Sequence, residues 1–186
     1  MLRNTTTSWG AVSLLFHWLG AALVVFLLGH GFWMAEFAPR DARFAHYSWH
    51  ASVGYALLAL MVARLLWRWT NAVPAPPRDA PEWERLAARA GHWGLYALIL
   101  AEALTGWALA GTLRRPLDAR LFGVVTVPPI VSGPDRTLHE ILEGTHSIVG
   151  WALVALVAVH VAAAWYHLRV RKDGVTERML SARGVR

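Results

Sequence analysis

Nine histidines and not one cysteine stand in this chain of 186 residues. Imidazole can carry a proton, hydrogen-bond, or bind a metal through either ring nitrogen. The lack of sulfur excludes disulfides, iron–sulfur clusters, thiolate zinc sites and covalently attached c-type haem, so any metal must sit on nitrogen or oxygen. His17, His50, His146 and His160 all lie inside stretches that are poor in charge. His146 and His160 are fourteen positions apart; at about 100° and 1.5 Å per residue a helix brings them to within about 40° of one face and about 21 Å apart. One helix thus offers two imidazoles at two depths.

The elements that must hold them follow from composition. The chain is 56% hydrophobic and 16% charged, with a mean hydropathy of +0.37, against about 25% charged residues in an average soluble domain. Lipid rather than water is the solvent such a chain expects, and disorder is excluded. A spanning helix needs about 20 apolar residues, and cutting the chain at its ionisable groups predicts four, over about 12–35, 46–68, 90–113 and 136–169, followed by a tail, 170–186. The chain reads as one domain, 1–186, an all-α integral membrane four-helix bundle. The first stretch is too long for a signal-peptide core and has no small-residue cleavage site at its end. The linker 71–82 (NAVPAPPRDAPE) cannot continue a helix. The segment 114–136, with Pro116, Gly123, Pro128, Pro129, Gly133 and Pro134, reads as a long loop, and Asp135 as the N-cap of the last helix.

An even number of spans puts both termini on one side. The N-terminus, the linker region and the tail hold twelve of the Lys and Arg residues, against six (Arg40, Arg43, Arg114, Arg115, Arg120 and Arg136) on the other face. The positive-inside rule makes the termini cytoplasmic. The net charge of +6 is read as topology, and no nucleic-acid partner is expected.

If the first helix starts near residue 12 on the inside, His17 lies at the depth of His160. The second helix starts outside and sets His50 opposite His146. Each outer histidine is followed four residues later by glycine, in HASVG (50–54) and HSIVG (146–150), where a missing Cβ one turn along leaves room for the edge of a macrocycle. A lone membrane histidine serves equally well as hydrogen-bonding glue between helices. Four at two matched depths favour axial ligation of two haems, because intramembrane ionisable groups are costly without a partner. His46 is the rival ligand on the second helix. His30 points to another face and reads as an outer-interface residue, His139 as a surface one. His92 and His167 could meet a haem propionate or a quinone carbonyl, or simply lie at the interface. Glu102, the one acid inside a span, should be protonated, paired or cavity-facing, since charge there costs roughly 2.5–3.5 kcal/mol on insertion scales. The tryptophans read as an aromatic belt.

The residues FHWL (16–19), HASVG with RLLWR (50–54, 64–68), LAARAGHWGLY (86–96), LFG followed by VP (121–128) and HSIVG through His160 to YHLRVRKDGVTERML (166–180) resemble, in order and spacing, the bacterial cytochrome b561 family. That group is related to the cytochrome b subunits of hydrogenases and formate dehydrogenases. The resemblance implies two non-covalent b-type haems, with axial ligands at His17, His50, His146 and His160, in a bacterial inner membrane. It also implies exchange of electrons with the quinone pool, and for at least one type the oxidation of superoxide at the outer face with ubiquinone as acceptor. Where many members carry proline in helix 3, this chain has Glu102-Ala103. The implied activity is that of a quinone-linked oxidoreductase fed by a small-molecule or periplasmic donor. Two other readings stand beside it: a haem subunit docked on a separate redox partner, and a haem-free membrane scaffold. A transporter would show inverted repeats or paired broken helices, which this sequence lacks. The outer segments balance their six Arg with six acids, so net charge gives an anionic donor no funnel. Donor, direction of flow and oligomeric state stay open.

Overall fold

The computed structural model describes residues 1–114, 117, 120–122 and 124–180, the side chain of Arg120 excepted. Arg115, Pro116, Asp118, Gly123, Arg183 and Arg186, which enter the loop and charge readings above, lie outside the described residues. Among the described residues four helices are long and apolar enough to cross a membrane: α1 (Ala11–Glu36), α2 (Arg43–Trp69), α3 (Glu82–Gly111) and α4 (Arg136–Tyr166). A hairpin of two-residue strands, β1 (Arg120–Leu121) and β2 (Val125–Thr126), pairs antiparallel between α3 and α4. A π-helical turn, His167–Arg171, prolongs α4, and a one-turn helix, α5 (Glu177–Leu180), follows.

The expected spans all form, with shifted boundaries. α3 starts at Glu82 rather than near 90. Pro81 is its N-cap in extended conformation, and Glu82 and Glu84 lie in its first turn, where proline suits the entry and carboxylates favour the positive end of the helix dipole. Cutting the sequence at Arg89 missed this polar extension. Asp135 caps α4 as expected, accepting from the Leu138 N–H at 3.0 Å. Lys172 ends the π turn in left-handed conformation at φ 52°.

Neighbours in sequence pack closely, α1 on α2, α2 on α3 and α3 on α4. Between α1 and α4 and between α2 and α4 the backbones come close at few points, if any, and these are the wider seams. Val24, Leu57, Met61, Tyr96, Ile99 and Leu153 form the buried cluster at mid-bundle. Leu153 lies midway along α4 between His146 and His160, so an apolar plug separates the two histidine layers. Large apolar side chains such as Phe26, Ile148, Trp151 and Trp165 are exposed, as a lipid-facing surface requires.

At one end the termini are pinned to the linker. The Asn4 amide donates to Ala72 O at 2.8 Å and its oxygen accepts from the Gly10 N–H at 2.9 Å. Arg178 reaches Ala75 O, and the Trp18 indole reaches Met179 O. This is the termini end; the other is the hairpin end.

Candidate functional site

The structure brings together the histidines that depth paired. At the termini end the rings of His17 on α1 and His160 on α4 have centroids 6.2 Å apart with planes at 56°. At the hairpin end the rings of His50 on α2 and His146 on α4 are 6.3 Å apart at 83°. Both pairs bridge the wider seams.

The hairpin-end pair has the more elaborate surroundings. The Thr105 hydroxyl donates to Ala101 O at 2.8 Å, so its lone pair is free to accept from His146 Nδ1 at 3.1 Å. That bond puts the ring proton on Nδ1 and the lone pair on Nε2, the tautomer a metal requires. Glu102 Oε1 is 3.3 Å from His146 Nε2. His50 Nδ1 is buried without a hydrogen-bond partner among the described residues. A Cβ on Gly31 would come to 3.3 Å of the His50 ring, and one on Gly106 to 3.0 Å of the His146 ring. Sequence reasoning had singled out Gly54 and Gly150 instead. Gly54 faces open space, whereas the space beside Gly150 holds the Glu102 carboxyl, 3.1 Å from where a Cβ would lie. The glycines that touch the rings come from the helices opposite, which periodicity along one segment could not show.

The remaining histidines fall into three groups. His30 lies against α2, stacked on His50 at 5.8 Å and 18°, with its Nε2 3.4 Å from His46 Nδ1. His46 in turn meets Trp33 edge-on at 4.7 Å. His92 comes to 5.6 Å of His160, and His139 ties the start of α4 to the end of α3 through Thr112 Oγ1 at 2.8 Å. His167 donates from Nδ1 to Asp173 Oδ2 at 2.7 Å, and Arg171 links Asp173 to Glu84 and Asp79. Burial alone would raise the Asp173 carboxyl, but the hydrogen bonds from His167 and the Val175 N–H, with the Arg171 charge, hold it below its ordinary value.

A membrane bundle that holds imidazole pairs at two levels has the framework of a membrane cytochrome. The chain belongs to the prokaryotic cytochrome b561 family, whose model matches residues 8–182. It is 31% identical over 178 residues to "Cytochrome b561 homolog 2" of Escherichia coli (strain K12), covering 95% of this chain and 93% of the relative. It is 28% identical over 165 residues to "Probable superoxide oxidase CybB" of Yersinia pestis, covering 88% and 90%. It is 29% identical over 136 residues to "Cytochrome b561 homolog 1" of Escherichia coli (strain K12), covering 72% and 74%. The family is one of helical membrane haem proteins; it supports transmembrane electron transfer and implies a b-type haem.

The residues present suit that group. An imidazole nitrogen lies about 2.0–2.1 Å from a first-row metal such as zinc and roughly 1 Å from its own ring centre, so two imidazoles on opposite sides of one metal have centres about 6 Å apart. The two cross-seam pairs have that spacing, the donors are neutral nitrogen, and His50 has a buried nitrogen without a partner.

Proposed function

We propose that the protein carries electrons across a bacterial membrane through two b-type haems, one ligated by His17 and His160, the other by His50 and His146, and exchanges them with quinone. The observation that carries this is the pairing of four rings from three helices across the two wide seams. His92 and His160 are also close, but α3 and α4 are the most closely packed pair of helices, which disfavours a macrocycle between them. His30 stacks flat on His50, which aims neither ring's nitrogen at a shared metal. His46 is engaged by His30 and Trp33, which favours His50 as the α2 ligand.

Haem supplies a reversible one-electron Fe(III)/Fe(II) couple, tuned by its ligands and surroundings. The chain's residues do the rest. α4 presents one ring to each pair, about 21 Å apart by helix rise, and the plug around Leu153 keeps water and side chains from joining the two layers. Thr105 holds His146 in the ligating tautomer. Residues 1–186 act as a single domain with both termini cytoplasmic, a reading that rests on the charge bias. Superoxide is the narrower proposal for the donor, supported by the name of the Yersinia pestis relative. Two superoxide anions would each lose one electron to become dioxygen, and one quinone with two protons would become quinol.

The deciding experiment is a reduced-minus-oxidised visible spectrum of detergent-purified protein with a pyridine haemochrome count. Two low-spin b-type haems per chain support the reading, and loss of one in each of His17→Ala and His146→Ala assigns the pairs. A colourless protein expressed with adequate haem sinks it.

A further inference from the structure

Arg64 is a cation inside α2, five residues before the helix ends at Trp69. An arginine so placed ordinarily extends toward the headgroups. This one turns inward. Its Nη2 lies 3.2 Å from His17 Nδ1 on α1, its guanidinium carbon 5.4 Å over the Tyr96 ring on α3, and its Nη1 3.7 Å from where a Cβ on Gly20 would lie. Gly20 on α1 lines the berth. Among the described residues no carboxylate lies within ion-pair distance of Arg64, and Glu102, the acid within the spans, sits against His146 in the other layer. A permanently charged guanidinium held inside a membrane bundle without a counter-charge is costly, and such residues mark sites where a partner binds.

Its contact with His17 also conflicts with ligation as it stands. Arginine can only donate, so Nδ1 accepts here. A metal on Nε2 leaves the ring proton on Nδ1, and two donors would then face each other. Arg64 must release His17 when the site fills, while remaining in the same berth beside it.

We propose that Arg64 is the counter-charge for a carboxylate of the macrocycle bound between His17 and His160, and that it makes the termini-end haem the higher-potential one of the two. The proposal rests on the ligation proposed above. A fixed positive charge favours the reduced, less positive iron, and no arginine or lysine contacts either ring of the His50 and His146 pair among the described residues. Electrons entering at the hairpin end would therefore run downhill toward the termini end.

The test is a spectroscopic redox titration of the full-length haem-loaded protein, wild type against Arg64→Met, Arg64→Lys and Arg68→Gln, with haem counted per chain. Arg68 stacks on Trp93 and Tyr96 at 5.8 and 5.9 Å and serves as a charge control. The expected result is two components in wild type, of which Arg64→Met lowers only the higher and loosens that haem by about 10–100-fold. Arg64→Lys should lie between, and it carries the test if the methionine variant does not accumulate; Arg68→Gln should move that component less. Arg64→Met or Arg64→Lys indistinguishable from wild type in both components, or a shift confined to the lower one, overturns the proposal. Wild-type protein without haem overturns the ligation and this inference with it, a result separate from two haems that ignore Arg64.

Discussion

Replacing Thr105 by valine keeps the β-branched shape and removes the oxygen that accepts from His146 Nδ1 at 3.1 Å. The ring N–H of a ligating imidazole then loses its side-chain partner. Leaving a buried donor unpaired costs about 1–3 kcal/mol, and outer-shell partners of metal-bound histidines typically contribute 10–100-fold to affinity. The Glu102 backbone also bonds the His146 ring, so the lower end applies, about tenfold. Thr105 is hydrogen-bonded to one ligand of one pair, so a single haem should respond. The accepting oxygen also makes the imidazole a stronger donor to ferric iron, so its removal should raise that haem's potential. The assay is transfer of haem to an excess of scavenging apoprotein, followed by absorbance, for wild type, Thr105→Val and Thr105→Ser. Biphasic release with one accelerated phase in the valine variant, restored by serine, is expected. Equal release from all three would refute the role given to Thr105, and acceleration of both phases would point to general loosening instead.

Three further outcomes follow from the same geometry. His50→Ala should lose one haem and His46→Ala keep both, counted by pyridine haemochrome; the reverse pattern would make His46 the ligand. Gly106→Val should also cost the hairpin-end haem, because even a Cβ there comes to 3.0 Å of the His146 ring, whereas a valine at Gly54, where that position is open, should disturb the protein less; haem spectra of the two variants decide, and equal loss in both refutes the contrast. For Asp173, whose folded pKa is depressed, the stabilisation is present above the ordinary carboxylate value of about 3.9 and is lost as pH falls through the folded value. Asp173→Asn should therefore melt below wild type at neutral pH, and the gap should close under strong acid; a gap that does not narrow argues against the ion pair.

The spans and the histidine pairing were legible because hydropathy and helix rise act along one segment. Depth alone put His17 with His160 and His50 with His146. What sequence could not show lies between helices. Gly31 and Gly106 touch imidazoles on other chain segments, and no period links 31 to 50 or 106 to 146. His30 was assigned to an outer interface from its angle to His17; the structure turns it onto α2, since a helix with neighbours on two sides can use both faces. Arg64 counts in the sequence as part of the cytoplasmic charge excess, and only its contacts with His17 and Tyr96 show it facing inward. The early start of α3 was hidden by its charge, which marks the helix's entry at the membrane surface rather than its absence.

α4 is made after α1, α2 and α3, and it contributes a ring to both pairs. On the proposed ligation, no site can close while the first three helices stand alone in the membrane, whatever the haem supply. Cofactor loading is then a post-insertion event that reports the arrival of α4, and a ribosome that stops short of Arg136 leaves a fragment in which neither proposed pair can form.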